Sequence, residues 1–289
     1  MKLATFTHQG NTRIGVVAGD SIADVCAAAE IPRDMIGFLN GGAAAMERAR
    51  AAVSRAPKIA LAQAKLEAPV PRPPEFLAIG LNYGGHIAET GREKPSFPLF
   101  FNKQTSCVNG PYDPIHLPRA STALDYEGEL GFVIGRRCRH VPRQRAREVI
   151  AGFLIVNDVS VRDWQRRAAT MTLGKSWDTH GPTGPWIVTP DEIGDPHSLE
   201  LRTFVNGEMR QHANTRDLIF DCYAQIETLS TVFTLEPGTI ISTGTPDGVA
   251  AAMKPPKWLK AGDVVRIEID GIGHIENRIV DEPADTARI

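Results

Sequence analysis

Short runs in which apolar and polar residues alternate recur along this chain and predict a protein rich in β-strands. The strand-like runs are Leu3 to Thr7, Arg13 to Val17, the apolar segment Phe76 to Gly80, Tyr126 to Gly135 and Leu199 to Val205. Asn206-Gly207 lies between two alternating runs, as does the segment Asp270 to Gly273, and both are typical of hairpin turns. The later strands are therefore predicted to pair antiparallel.

Two segments carry a helical pattern instead. An alanine-rich segment from Ala43 to about Ala56 is predicted to be helical. A second helix is predicted from Asp217 to Phe233 behind a Thr215 cap, because apolar residues recur there at three- and four-residue spacing, namely Leu218, Cys222, Ile226 and Leu229. So few helices among many strands do not make a doubly wound parallel fold.

A cluster of four prolines divides the chain: Pro69, Pro71, Pro73 and Pro74. Such a cluster cannot continue a helix or a central strand, because proline fixes its backbone angle and lacks an N–H donor. We therefore predict a small N-terminal α/β domain over residues 1–70 and a larger, strand-rich domain over residues 71–289.

Composition places the chain among ordinary globular proteins. Its 289 residues are 42% hydrophobic and 23% charged, with a formal net charge of −2 at pH 7, which excludes disorder, collagen and coiled coil. The longest strongly apolar run, Val149 to Val156, is far shorter than the roughly 20 residues that a membrane span needs. No signal-peptide core forms at the N-terminus, so we expect a cytoplasmic protein that does not enter a membrane.

A basic stretch follows Gly135 and contains Arg136, Arg137, Arg139, Arg143, Arg145 and Arg147. We expect a solvated face or a patch for an anionic partner, and not nucleic-acid binding, because the chain is nearly neutral and no aromatic residues are interleaved. The four cysteines are far apart and are expected to be buried thiols.

The first candidate for chemistry is the pair Glu127 and Glu129 in the predicted strand Tyr126 to Gly135. Alternate side chains of a strand share a face, so these carboxylates are expected about 7 Å apart, opposite the face of Leu130. Like charges side by side in a half-buried strand repel unless a cation lies between them. A metal site resolves that conflict, and an edge strand with two solvated glutamates is the alternative.

A third oxygen donor is suggested by Asp158, which ends the apolar run that begins at Val149. Functional side chains commonly follow a core strand, where the scaffold is rigid and the tip is reachable, although a helix or turn cap is equally compatible with the pattern. Three carboxylates without a Cys or His partner suit a hard cation. Mg²⁺ is expected, with Mn²⁺ or Ca²⁺ as alternatives to it.

A candidate base is His86, which is followed three residues later by Glu89. On one helical turn these side chains lie on the same side, so the glutamate can hold the imidazole ring and favour its base form. An exposed helical ion pair without catalytic meaning is the alternative.

Six motifs in a fixed order resemble the fumarylacetoacetate hydrolase family. They are Gly80-Leu81-Asn82-Tyr83-x-x-His86-x-x-Glu89, Tyr126-Glu127-x-Glu129, Asn157-Asp158-Val159-Ser160-x-Arg162-Asp163-x-Gln165, Gly174-Lys175-Ser176-x-Asp178-Thr179, Gly181-Pro182-x-Gly184-Pro185 and Thr243-Gly244-Thr245-Pro246-x-Gly248-Val249. The resemblance covers about residues 76 to 281. It implies an α/β (α+β) fold, namely a mixed β-roll behind a small variable N-terminal domain, usually as a homodimer with a divalent metal.

The resemblance also implies roles for individual residues. Glu127, Glu129 and Asp158 would be the metal ligands, and His86 with Glu89 would activate water. Lys175 would be catalytic and would counter negative charge. The substrate pocket would be lined by Arg162, Gln165, Tyr83 and Thr245, with Thr245 holding the far carboxylate.

The chemistry expected from such a site is hydrolysis of a C–C bond in a 2,4-dioxo acid of the acylpyruvate or fumarylpyruvate type, through a metal-stabilised pyruvate enolate. Oxaloacetate decarboxylation, keto-enol tautomerisation and the isomerisation or decarboxylation of a 2-oxo-alkenedioate use the same metal site and remain alternatives. A protein that binds metal and a small dicarboxylate or 2-oxo acid without turnover is a third hypothesis, against which the His86 and Glu89 pair argues.

Overall fold

The computed structural model describes residues 1–285, and more of these residues lie in β-strands than in α-helices. The strands, in chain order, are Lys2–His8 (β1), Asn11–Ala18 (β2), Ser21–Ala23 (β3), Lys58–Ala60 (β4), Lys65–Leu66 (β5), Phe76–Gly80 (β6), Leu99–Lys103 (β7), Val108–Asn109 (β8), Ile115–Leu117 (β9), Leu124–Asp125 (β10), Gly128–Ile134 (β11), Ile150–Asn157 (β12), Ser160–Val161 (β13), Gly181–Val188 (β14), Glu200–Val205 (β15), Glu208–Asn214 (β16), Ile240–Ser242 (β17), Val264–Ile269 (β18) and Gly273–Asp281 (β19). The α-helices are Val25–Ala28 (α1), Met35–Asn40 (α2), Gly42–Ala52 (α3), Gly84–Thr90 (α4), Arg162–Gln165 (α5), Thr172–Lys175 (α6), Pro190–Ile193 (α7) and Cys222–Val232 (α8). The predicted α/β (α+β) class is confirmed.

The largest sheet joins N-terminal strands to strands from the middle of the chain in the order β4-β3-β2-β1-β14-β12-β11-β17-β6-β7, with β5 on β1 and β8 on β14. Strands β11 and β12 run antiparallel, with Gly128 opposite Asn157. Strand β17 pairs antiparallel with β11 and parallel with β6. The beginning of β11 therefore lies beside the end of β12, which brings distant parts of the sequence together at one edge.

A second sheet has the order β16-β15-β18-β19-β9. The hairpin between β15 and β16 turns at Asn206 and Gly207, whose φ angles of 52° and 80° are both left-handed, as a type I′ turn requires. A second hairpin joins β18 to β19. Both predicted hairpins are thus confirmed.

The main core lies between the two sheets. Leu130 and Phe132 of β11 and Ile155 of β12 belong to one apolar cluster with Leu201 of β15 and Ile267 of β18. Every residue of β11 is buried, because β12 and β17 flank it and the second sheet contributes to the same core.

The N-terminal strands continue the large sheet across the predicted boundary. Lys2 of β1 pairs with Val188 of β14. Phe38 of α2 belongs to one apolar cluster with Leu154 of β12 and Ile240 of β17. The division into residues 1–70 and 71–289 stays a prediction, and the strands on its two sides share a sheet and a core.

The second predicted helix begins later than its apolar spacing suggested. Helix α8 starts at Cys222, and Asp221 is its cap, with the carboxylate accepting a hydrogen bond from the backbone N–H of Ala224 at 2.8 Å. The preceding residues are held elsewhere, because the Asn82 side chain accepts a hydrogen bond from the Phe220 backbone N–H at 2.8 Å. The prediction of a helix from Asp217 was therefore wrong at its start.

The basic stretch after Gly135 is a solvated face with its own acidic partners. Arg143 pairs with Asp221, and Arg145 pairs with Glu148 at 2.8 Å. Of the four cysteines, Cys107 and Cys222 are buried, as expected, whereas the other two are half-buried. Among residues 1–285, no helix is long and apolar enough to span a membrane.

Candidate active site

Three carboxylates converge where β11 begins and β12 ends. Glu127 precedes β11, Glu129 lies within it, and Asp158 follows β12; one oxygen from each lies within 4.8 Å of the others. The backbone N–H of Asp158 donates to the carbonyl of Glu127 at 2.9 Å, which locks the two strand ends together. Strand register, and not proximity in sequence, thus brings Asp158 to the two glutamates.

The acidic cluster is buried, with 4%, 1% and 1% of Glu127, Glu129 and Asp158 exposed. Strand β11 is interior to the sheet, so the alternative of an edge strand with solvated glutamates is wrong. Carboxylates are rarely buried without a charge partner.

Two lysines supply part of the opposing charge. Lys175 Nζ donates to Glu127 at 2.6 Å and to Asp158 at 2.7 Å. Lys103 Nζ donates to the other oxygen of Asp158 at 2.7 Å and to the backbone carbonyl of Lys175. Burial lowers the pKa of Lys175, but Asp158 and Glu127 outweigh that effect and raise it above its usual value. Lys175 is therefore a cation in this site.

Arg162 is the third cation and is held in one orientation. Its Nε donates to Asp125 at 2.8 Å, and its two terminal nitrogens donate to Glu127 at 2.6 Å and to Gln165 at 3.0 Å. Asp125 is fully buried and also accepts from the backbone N–H groups of two residues after Val249. Burial raises the pKa of Glu127, but Lys175 and Arg162 outweigh it, so that pKa lies below its usual range.

Glu129 differs from its neighbours because its hydrogen-bond donors, a hydroxyl and a backbone N–H, are neutral. It accepts hydrogen bonds from the Ser242 hydroxyl and, at 2.8 Å, from the Gly244 backbone N–H. Burial, followed by the charges of Asp158 and Glu127, raises its pKa well above the usual value. The cluster thus has room for further positive charge, and its all-oxygen donor set fits a hard divalent cation.

His86 and Glu89 form a hydrogen-bonded pair on α4. His86 Nδ1 lies 2.6 Å from a Glu89 oxygen, and the other Glu89 oxygen accepts from the Gly248 backbone N–H at 2.9 Å. Only 10% and 18% of the two side chains are exposed, so this is not the exposed helical ion pair of the alternative interpretation. A carboxylate only accepts, so in the neutral ring Nδ1 carries the hydrogen and Nε2 has a lone pair for a proton.

A cavity of about 890 Å³ joins these groups. Of the residues predicted for the site, its lining includes His86, Glu89, Glu127, Glu129, Arg162, Gln165, Lys175 and Thr245. Asp158 is outside the lining, in contact with Lys175, and Tyr83 is buried with a hydroxyl that has no hydrogen-bond partner among the described residues. The Thr245 hydroxyl donates to the Gly128 carbonyl at 3.0 Å and accepts from Gln211 at 2.8 Å.

Two polar residues of the site were absent from the sequence predictions. Lys103 ends β7 and faces the same side as Phe101, so a lysine on the inner face of an apolar strand was the available signal. Asp125 directly precedes the predicted strand and gave no separate signal. Both are recognisable only through their partners, Asp158 and Arg162.

Similarity to known proteins identifies the family of this chain. A family model described as fumarylacetoacetate (FAA) hydrolase C-terminal matches residues 75–280. The chain belongs to the fumarylacetoacetate hydrolase family. The resemblance stated from its motifs is therefore confirmed.

Relatives within the fumarylacetoacetate hydrolase family include enzymes of several activities. The chain is 40% identical to the mitochondrial oxaloacetate tautomerase of Xenopus laevis over 288 residues, 97% of this chain and 90% of that protein. It resembles the maleylpyruvate hydrolase of Sphingobium sp. SYK-6, solved with manganese(II) and pyruvate, at a TM-score of 0.83 and 36% identity over 98% of this chain and 100% of that one. A fumarylacetoacetate hydrolase from Exiguobacterium antarcticum gives 0.88 and 35%, with the same coverage. The expectation of an enzyme of this family is confirmed.

Proposed function

We propose that the protein is a divalent-metal-dependent hydrolase that cleaves a C–C bond in a 2,4-dioxo acid of the acylpyruvate or fumarylpyruvate type. The observation that carries this proposal is that the His86 and Glu89 pair lines the same cavity as Glu127 and Glu129. A base beside an acidic cluster can take a proton from water, and the hydroxide then attacks a carbonyl carbon of the substrate that the cluster anchors.

The proposed metal ligands are Glu127, Glu129 and Asp158, with Mg²⁺ as the expected ion and Mn²⁺ or Ca²⁺ as alternatives. When bound, the ion would act as a Lewis acid on the oxygens of the 2-oxo acid and offset the negative charge that develops as the C–C bond breaks. Support comes from the raised pKa of Glu129, which burial and then two neighbouring carboxylates cause, and from the manganese in the maleylpyruvate hydrolase.

His86 is the proposed base. Glu89 holds the hydrogen of Nδ1, and the Gly248 backbone N–H holds Glu89, so Nε2 is left to take a proton from water. The hydroxide oxygen bonds to the distal carbonyl carbon, and the bond from that carbon to the pyruvate unit breaks. Its electron pair passes into the pyruvate enolate, which then receives the proton on carbon. The products are a carboxylic acid and pyruvate, the compound found with the maleylpyruvate hydrolase.

Lys175 and Arg162 are proposed to counter the charge of the enolate. Both line the cavity and contact Glu127, and the raised pKa of Lys175, which the charges of Asp158 and Glu127 cause against the effect of burial, keeps it protonated. Gln165 and Thr245 are proposed as further walls of the substrate site, and Tyr83 as a buried support behind it.

The alternative is an oxaloacetate tautomerase or decarboxylase, or a 2-oxo-alkenedioate isomerase or decarboxylase, that uses the same metal site. The 40% identity to an oxaloacetate tautomerase favours this alternative. Tautomerisation needs only proton transfer at the enolate carbon, which His86 can also perform.

We further propose a homodimer in the cytoplasm. Light scattering after gel filtration would check whether the mass is twice that of one chain.

The proposed reaction is tested by comparing fumarylpyruvate, acetylpyruvate and oxaloacetate as substrates in the presence of Mg²⁺. We expect pyruvate release from fumarylpyruvate or acetylpyruvate at a higher kcat/KM than any turnover of oxaloacetate. Turnover of oxaloacetate alone would contradict the hydrolase proposal and favour the alternative.

His86→Ala tests the base directly. Hydrolysis should slow by about 10²- to 10⁴-fold, the usual worth of a positioned base, while Mg²⁺ affinity measured by calorimetry stays unchanged. The matched control is His212→Ala, because His212 also pairs with a glutamate, Glu200, at 2.8 Å but lies on the second sheet. Cleavage by the His86 variant at close to the unmodified rate would rule out the proposed base.

A further inference from the structure

The mouth of the active-site cavity carries positive charge that the chemistry above does not use. Arg92, Arg166 and Lys254 line the cavity and are exposed. Their side chains form no ion pair or hydrogen bond with any other part of residues 1–285. Deeper in the cavity, by contrast, Arg162 and Lys175 are buried and each bonds to carboxylates. We call Arg92, Arg166 and Lys254 the cationic rim.

Three separate segments supply the cationic rim. Arg92 follows Gly91, the residue that caps α4, and Lys254 follows the short helical turn 250–252. Arg166 follows α5 and retains helical backbone angles, four residues after Arg162. Cβ atoms at that spacing are about 5–6 Å apart on the same face, so Arg166 lies one turn beyond the contact between Arg162 and Glu127.

Thr245, on the inner wall of the cavity, has no hydrogen-bond donor free for a substrate carboxylate. Its hydroxyl hydrogen is donated to the Gly128 carbonyl, and Gln211 donates to its oxygen. A hydroxyl has a single hydrogen to donate, so in this arrangement Thr245 offers none to a carboxylate. Unpaired donors for a second anionic group are therefore found at the cationic rim.

We propose that the cationic rim binds a second carboxylate, at the end of the substrate farthest from the 2-oxo acid, and so makes the enzyme prefer 2-oxo dioic acids to 2-oxo acids with an apolar end. This inference rests on the proposed function, because it needs the 2-oxo acid to be anchored at the acidic cluster. Three cations around one opening also attract an anionic substrate toward the cavity, since a concave surface of one charge sign focuses the field.

Each residue of the cationic rim is expected to change the affinity for the second carboxylate only modestly, but the combined effect of all three is measurable. An exposed ion pair typically changes binding by about twofold to fivefold, and unpaired neighbours of the same sign add to it. The preference should weaken as salt is raised, because exposed charges are screened at higher ionic strength.

The test is calorimetry of the Mg²⁺-loaded protein with two six-carbon acids that lack the 4-oxo group and so are not cleaved. 2-Oxoadipate ends in a carboxylate, and 2-oxohexanoate ends in a methyl group. The unmodified protein should bind 2-oxoadipate at least about tenfold more tightly. Combining Arg92→Gln, Arg166→Gln and Lys254→Gln should reduce that preference to less than about twofold.

The matched control combines Lys94→Gln and Arg167→Gln, which remove exposed cations beside two rim residues but outside the cavity lining, and it should retain the preference. Equal affinity for the two acids in the unmodified protein, or an undiminished preference in the triple variant, would overturn the role of the rim while leaving the proposed function standing. Failure of both acids to bind would instead overturn the shared premise of a 2-oxo acid held at the metal site.

Discussion

Buried ionisable side chains of this protein owe their properties to burial and to neighbours contributed by other elements. Glu129 is 1% exposed, and burial, with Asp158 and Glu127 nearby, raises its pKa. His180 is also 1% exposed; its Nε2 donates to the carbonyl of His116 at 2.8 Å, and its Nδ1 has no partner among the described residues. The surroundings of Glu129 favour a nearby positive charge, whereas those of His180 disfavour a positive charge on its ring.

Glu129→Gln should separate metal binding from folding. The amide keeps the shape and can still accept from the Gly244 N–H, but it removes a charge that Asp158 and Glu127 repel. We expect Mg²⁺ affinity to fall by at least about 10- to 100-fold, while the free energy of unfolding of the metal-free protein changes by less than about 1 kcal/mol. Glu148→Gln, on an exposed ion pair with Arg145, is the control. An unfolded Glu129 variant would assign that carboxylate a structural role.

His180 should make the protein less stable in acid. Burial lowers its pKa to about 3, whereas in the unfolded chain it titrates near 6.5, so between these values the unfolded state binds the extra proton. Its contribution to stability is therefore present above pH 6.5 and is lost as the pH falls toward 3. His180→Phe should reduce the slope of unfolding free energy against pH by up to about 1.4 kcal/mol per pH unit. Parallel curves for the two proteins from urea titrations would contradict this assignment.

At the scale of elements, the segment that follows β17 connects the metal site with the base. Ser242 and Gly244 hold Glu129, and Gly248 holds Glu89 through its backbone N–H. Gly248 has a φ angle of 100°, and a Cβ there would lie 2.0 Å from the carbonyl oxygen of Arg210. Only glycine fits this position, so the sequence motif Thr243 to Val249 is explained by backbone geometry as well as by chemistry.

Gly248→Ala should therefore reduce activity by moving the anchor of Glu89. Strain and the clash with Arg210 should cost about 1–3 kcal/mol of stability, and kcat should fall because His86 loses its fixed partner. Gly207→Ala is the matched control: its φ angle is also positive, at 80°, but a Cβ there meets nothing within 4 Å. That variant should lose about 1–2 kcal/mol and keep its kcat. If steady-state assays give the same kcat for both variants, the segment that follows β17 does not position His86 for catalysis.

At the scale of the whole molecule, one sheet runs through both predicted domains. Lys2 pairs with Val188, and Phe38 shares an apolar cluster with Leu154 and Ile240, so part of the apolar surface of the later strands is covered by the N-terminal part. Chain segments before and after the proline cluster therefore stabilise each other.

A chain that begins at Pro73 should for that reason be unstable. It would expose the edge of β14 and the apolar residues that the N-terminal part covers, so we expect aggregation or a loss of cooperative unfolding. Circular dichroism and gel filtration of that chain against the full chain provide the measurement. A soluble product with a sharp thermal transition would show that residues 1–70 and 71–289 fold independently.

By itself, the sequence determined several of the strands, both hairpins and most of the residues proposed for the site. Local alternation and turn chemistry depend on near neighbours, so Phe76–Gly80 and the turn at Asn206 and Gly207 were predictable. The ordered motifs pointed to the family, and through it to the acidic cluster and to His86.

Only the tertiary structure decided what depends on partners distant in sequence. The start of α8 was mispredicted because Asn82 holds Phe220, a contact that no local pattern records. Lys103 and Asp125 belong to the site through Asp158 and Arg162, which strand register brings beside them. The cationic rim exists for the same reason: three segments far apart in the chain end at one opening, and a single sequence does not reveal which charges will share a cavity.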